Sequence, residues 1–266
     1  MAKSAGKVLA EPGEEFLFYE QPLIERMRTF MRLEFLYQQL LYNAESESDW
    51  ASRATIATLL DILAILSRGD VRNDVHKELD HQVSLMERFL ELPDVDKKRL
   101  KTLLGNLHDS RKSLLEAGTG YLQPLKESEF LSSVKHRSAI PGGTCEFDLP
   151  VYSHWLRQPY DRRKQDLDAW VSSVQPLCDA VLELLWLIRE SGQPTDEIAT
   201  NGMFQNMVKK GEQCRLLRIG IPTGSALFPE ISGSQHRFTV RFLKWTTVES
   251  RAVQTTRDVS FQLSIC

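Results

Sequence analysis

Arg237 and Arg241 are the residues of this 266-residue chain whose type and spacing point most directly to chemistry. That chemistry is the recognition of an anion, not catalysis. From Lys209 to Lys244 there are seven Lys/Arg (Lys209, Lys210, Arg215, Arg218, Arg237, Arg241, Lys244) against Glu212 and Glu230. This local basic excess stands inside a chain of net charge −3. His236–Trp245 alternates apolar and polar residues with period two, so Phe238, Val240 and Phe242 face a core while Arg237, Thr239 and Arg241 face out. At ~3.3 Å per residue the two arginines stand about 13 Å apart, a row suited to an extended acidic segment. The same pattern also fits an ordinary solvated sheet face. Arg28 and Arg32, four apart in PLIERMRTFMRLEFLYQQLL, share one side of a helix. Arg68 and Arg72 flank a turn, and Lys135-His136-Arg137 adds a second basic spot.

These residues must be positioned by elements of two kinds. The stretch 22–41 reads as a nearly all-apolar helix, with Pro22 in its first turn and Leu23, Met27, Phe30, Leu33, Tyr37 and Leu41 on its main face. Further helices are expected over 49–67, 71–90, the leucine-rich segment after Pro93, 127–137 and 161–191, the last kinked at Pro176. Its long apolar stripe is expected to contribute to a dimer surface. Beyond Pro194, Cys214–Ile221, His236–Trp245 and Asp258–Ile265 read as strands separated by turns. Phe16–Glu20 and Cys145–Leu149 are strands isolated in sequence. Their backbone groups need partners, so both are expected to join the C-terminal sheet. The fold class is α+β: a flexible tail over 1–15, a mainly helical domain over 22–192 that lends strand 145–149, and an antiparallel β domain over 195–266 completed by 16–20.

Composition narrows the function classes. At 42% apolar and 26% charged the chain reads as globular. The net negative charge argues against a dedicated nucleic-acid binder, although a nucleic-acid module on the basic strand face is the alternative reading. The apolar runs are expected to be too interrupted to span a bilayer, and residues 1–15 lack the apolar core of a signal peptide. Cys145, Cys178, Cys214 and Cys266 are scattered without CxxC spacing, as for reduced thiols, and no metal or cofactor is expected. No GxxxxGK[ST], GxGxxG, HExxH or GxSxG pattern occurs, so no enzyme is expected. His76, Asp80 and His81 read as a wet helix surface.

Seven stretches taken together resemble the ZapD (Z-ring-associated protein D) family of bacterial cell-division factors. They are PLIERMRTFMRLEFL (22–36), SRGDVR (67–72), KELD (77–80), SAIPGGTCEFDLP (138–150), HWL (154–156), LLRIGI (216–221) and FPEISGSQHRFTVRF (228–242). The resemblance implies a cytoplasmic homodimer, recruited to mid-cell, that binds the C-terminal tail of the tubulin-like GTPase FtsZ. It would cross-link FtsZ protofilaments without catalysis or cofactors and promote septation, with neither nucleic acid nor membrane insertion involved. By matching position it gives tail contacts to Arg32, to Arg68 and Arg72 of the RGxVR turn, and to Arg237 and Arg241 of the RFxxRF strand. Arg28, Lys135 and Arg137 are added as neighbouring basic residues. Glu129 stands where some members carry a basic residue, a loss for which Lys126 or Lys135 would substitute. Ser153 precedes His154 where some members place the histidine one residue earlier.

Overall fold

The computed structural model describes residues 15–208 and 214–266. Lys209, Lys210 and Glu212 of the basic cluster and nearly all of the expected N-terminal tail lie outside them. The elements run β1 (Phe16–Pro22), α1 (Glu25–Ala44), α2 (Asp49–Arg68), α3 (Val71–Leu90), α4 (Lys97–Glu116), α5 (Gln123–Lys126), α6 (Glu129–Ser138), α7 (Pro150–Leu156) and α8 (Tyr160–Ser191). There follow β2 (Thr195–Ala199), β3 (Met203–Met207), β4 (Leu216–Pro222), β5 (Leu227–Ser234), β6 (Arg237–Lys244), β7 (Val253–Gln254) and β8 (Val259–Ile265). The class is α+β, and the chain divides into two compact units. One takes the residues up to Arg28 together with Trp186–Cys266; the other is Thr29–Leu185.

The first unit contains two antiparallel sheets, β1-β4-β8-β2 and β3-β6-β5, with β7 pairing the end of β6. Period-two patterning turns Leu217, Ile219 and Ile221 of β4, Phe238, Val240 and Phe242 of β6, and Val259, Phe261 and Leu263 of β8 into one shared core. Phe261 meets Phe204 edge-on at 5.2 Å and Phe242 at 5.1 Å between ring centroids. Asn201 and Gly202 make the turn from β2 to β3 with φ of 51° and 71°. A Cβ on Gly202 would stand 2.3 Å from the Thr255 carbonyl oxygen, so glycine is required there.

β1 pairs with β4 over its whole length, Phe16 opposite Pro222 through Pro22 opposite Leu216, as the isolated strand demanded. Glu20 lies across from Arg218 and accepts from its Nε at 3.0 Å. The Arg189 guanidinium, at the end of α8, grips the same carboxylate with Nε at 2.9 Å and Nη2 at 2.8 Å. Arg218 Nη1 also donates to the Arg189 carbonyl at 3.3 Å. The Glu20 side chain is only 15% exposed, so its charge depends on these partners.

Four expectations need correction. Pro22 closes β1 and does not open α1: lacking an N–H it fits the last rung, and Leu23 N donates onward to the Arg215 carbonyl at 2.9 Å. Cys145–Leu149 is not a strand. Cys145 N bonds the Gly142 carbonyl and Leu149 N the Cys145 carbonyl, each at 3.0 Å, so these turns satisfy their backbone locally and need no sheet. The link between the strands expected at Cys214–Ile221 and His236–Trp245 is not only turns: it contains β5, whose Pro229 is tolerated because the strand pairs only with β6. Finally, α2 and α8 are by length and composition long and apolar enough to cross a membrane.

In the second unit those two helices instead supply core. Ile56, Leu59 and Ile62 of α2 and Leu167, Val174, Leu177, Val181 and Leu184 of α8 are buried, with Phe30, Leu33, Tyr37 and Leu40 of α1. Most of the α8 stripe is thus buried inside the unit, while Trp170 and Val171 are only partly covered. Arg163 is 3% exposed and fully engaged, by Ser52 Oγ (2.6 Å), the Glu47 carbonyl (2.8 Å), Asp49 (3.0 Å) and the Gln158 carbonyl (3.1 Å). α8 runs through Pro176, and Ser172, whose carbonyl loses its helical donor there, is exposed to water.

Removing one partner of a largely buried ion cluster leaves an unpaired charge, so Glu20→Gln should cost about 3 kcal/mol, read as a lower urea midpoint. A 195–266 fragment lacks β1 and exposes the β4 edge, and it should aggregate or stay unfolded. A soluble, cooperatively unfolding fragment would show that β1 is dispensable.

Candidate functional site

β6 is the central strand of its sheet, and its register decides what surrounds each arginine. Burying Phe238, Val240 and Phe242 forces Arg237, Thr239 and Arg241 to the outer face. Arg237 lies between Met207 of β3 and Ser234 of β5; Thr239 between Gln205 and Ser232; Arg241 between Met203 and Glu230. Gln205, Met207, Ser232, Ser234, Arg237 and Thr239 line a shallow concavity on this face. Met207 is 77% exposed and Met203 43%, so the row is not merely basic. Two flexible thioether side chains stand open beside two guanidinium groups.

The two arginines differ electrostatically. Arg241 forms an ion pair with Glu230, which removes most of its outward charge. Arg237 is exposed and has no ion-pair partner among the described residues. Lys244, at the strand end, is also exposed, and the next residue, Trp245, is 53% exposed.

The remaining basic residues fall into separate settings. Arg32 is exposed on α1 without an ion pair among the described residues, whereas Arg28 is half-exposed and 3.8 Å from Glu25. The sequence suggested that α1 is nearly apolar all round and buried. Instead Phe35, one turn beyond Arg32, is 67% exposed, and Tyr42, on the same side as Phe35, is 82% exposed. Arg68 is exposed at the end of α2. Arg72 is turned inward: Nη2 donates to the Leu114 carbonyl at 2.7 Å and the guanidinium stands 5.8 Å from the Tyr121 ring centre. Lys135 is exposed on α6, while Arg137 reaches Asp148 at 3.6 Å. Ile140, Phe147 and Val151, in and after the following turns, are exposed apolar residues. Thus Arg237 and Arg241 are brought together on one sheet, while Arg32, Arg68, Arg72, Lys135 and Arg137 belong to the helical unit.

Met203, Met207 and Glu230 were not identified from the sequence as site residues, because β3 and β5 were not recognised. The alternation Met203-Phe204-Gln205-Asn206-Met207 was the usable sign of β3. His76 was placed on a wet surface, yet it is half-buried. Its place one turn after Arg72 was the available clue. Among the described residues no group of three or more His, Cys, Asp or Glu is arranged to hold a metal ion.

The family model described as ZapD, cell division protein, matches residues 31–241. A cell division protein ZapD of Methylococcus capsulatus is 38% identical over 250 residues, covering 94% of this chain and 98% of that protein. Those of Yersinia enterocolitica and Azoarcus sp. are 36% and 34% identical, with 94% and 93% of this chain and 97% and 98% of theirs aligned. By the reach of the family model and by full-length identity to such relatives, this chain belongs to the ZapD family of cell division proteins.

Proposed function

We propose that the protein binds the acidic C-terminal tail of FtsZ and, as a homodimer, bundles FtsZ protofilaments during Z-ring assembly. The observation that carries this reading is the outer row of β6, where an unpaired Arg237 and a paired Arg241 alternate with open methionines. An extended peptide with acidic and apolar side chains would find an unpaired charge and a thioether at the Arg237 end of a row about 13 Å long, and a thioether beside the ion-paired Arg241 at the other. Arg32, beside the exposed Phe35, offers a second surface of the same mixed character, with Arg28 one turn before it. Arg68, Lys135 and Arg137 are supporting positive charges near their own elements. Arg72 is left out of this assignment because it is turned inward, with Nη2 on the Leu114 carbonyl and the guanidinium 5.8 Å from the Tyr121 ring centre.

One tail site cannot join two filaments. Two copies of the site in a dimer supply the needed valency, and avidity then follows from effective concentration without new contacts. The work would take place in the cytoplasm at mid-cell. No bond is made or broken in it, so neither an active site nor a cofactor is called for. A nucleic-acid role for the same face is less favoured, because Phe238 and Phe242 are buried and leave Trp245 alone as a stacking surface on that strand.

Co-sedimentation with FtsZ should bring the protein down only when the FtsZ tail is present; equal recovery with tail-less FtsZ overturns the reading. Arg237→Glu should weaken tail binding about tenfold with little change in thermal midpoint, because the residue is exposed and unpaired. Arg32→Glu should act in the same direction, and a folded Arg32→Glu protein that bundles filaments normally removes Arg32 from the site. Binding should also fall as salt rises towards about 0.15 M, where exposed charges are screened beyond about 8 Å. Light scattering at micromolar concentration should report a dimer, and a monomer alone would contradict cross-linking by paired sites.

A further inference from the structure

The helical unit holds a cavity that Arg72 and Lys126 line, with Asp70 on its rim. α3 begins at Val71 with Asp70 as its N-cap, and its first turn opens on this cavity, between the end of α2 and the segment from Leu115 to Lys126. Arg72, His76, Thr119, Tyr121, Gln123 and Lys126 supply most of its polar lining, with Leu66, Leu115 and Leu122 as apolar wall. Arg72 uses Nη2 on the Leu114 carbonyl, but its Nε is shielded from solvent with no hydrogen-bond partner. Among the described residues Arg72 has no carboxylate in ion-pair range. Asp70, the acid on the cavity rim, already accepts from Asn73 N at 3.3 Å as helix cap.

A half-buried guanidinium without a counterion is costly unless an anion visits it. Two further features bear on an anion. Lys126 adds an exposed ammonium group. The His76 pKa is lowered, first by burial and next by the field of Arg72, with Asp80 acting in the opposite direction. The Tyr121 hydroxyl, its pKa pushed up to about 12 mainly by burial, stays protonated and can donate.

We infer that this cavity binds a compact oxyanion of the phosphate or carboxylate type, gripped by Arg72 and Lys126 with a hydrogen bond from the Tyr121 hydroxyl; the Gln123 amide is already spent on the Glu127 carboxylate. It shares no residue with the FtsZ-tail assignment, although Arg68 of that assignment directly precedes Gly69 on its rim, so either assignment can fail alone.

The test follows the imidazole signals of His76 by NMR in the full-length protein. Inorganic phosphate and, in a separate arm, acetate are titrated against sodium chloride at matched ionic strength. A saturable shift of His76 with phosphate or acetate, absent with chloride, is expected, and the stronger anion identifies the preferred chemistry. Arg72→Gln should weaken binding more than tenfold, as loss of a charge-assisted contact does. Because Arg72 also anchors Leu114, the exposed Lys126→Gln is the second variant, expected to weaken binding roughly threefold. Shifts no larger than those with chloride, or phosphate binding unchanged in Lys126→Gln and in folded Arg72→Gln, overturn the site. So does a His76 shift caused by FtsZ tail peptide but not by either small anion, since the cavity would then belong to tail binding.

Discussion

Glu20 sits between two arginines, and this small ion cluster secures the edge of a sheet on which the rest of the β unit depends. Arg218 comes from the neighbouring strand and Arg189 from the end of α8, so one carboxylate joins three stretches of chain. With β1 in place, β4 is an interior strand, flanked by β1 and β8. Its Leu217, Ile219 and Ile221 then share a closed core with Phe238, Val240 and Phe242 of β6. That burial is what aims Arg237 and Arg241 outward. The charge row is thus a by-product of core packing, and its geometry is as rigid as the phenylalanines beneath it.

Charge counting alone does not say which basic residues are available. Arg163 is buried and fully engaged, Arg241 is answered by Glu230, and Arg137 leans on Asp148. Arg237 and Arg32 carry no such partner among the described residues. For binding an acidic peptide the distinction is large. A compensated arginine must give up its partner before it gains another, and the net return is small. An acidic protein can therefore present a local positive surface by leaving a few cations unanswered.

Much of the architecture was readable because period is a physical property of burial. The helices at 49–67, 71–90 and 161–191 and the strand around 237–244 appear close to where apolar spacing put them. β1 was inferred from the need of its backbone for partners, a constraint that holds whatever the side chains are. The same reasoning failed at Cys145–Leu149, where short-range turn bonds met that need. It also missed β5, in which Pro229, Gly233 and two serines obscure the alternation; such residues are tolerated because an edge strand has one unpaired side. Positions on α1 were misjudged for another reason. A helical wheel shows that Phe35 and Leu41 are apolar, but not that no neighbour covers them.

The β1–β4 pairing also has a consequence in time. Glu20 and Arg218 are 198 residues apart. At a synthesis rate of about 5–20 residues per second, β1 leaves the ribosome roughly 10–40 s before its partner strand exists. During that interval its Phe16, Phe18 and Tyr19 and its backbone edge have no native place to go, although the helical unit can already be complete. Among the described strands the first to be made can pair only once β4 has followed it, and until then its edge stays open to wrong partners.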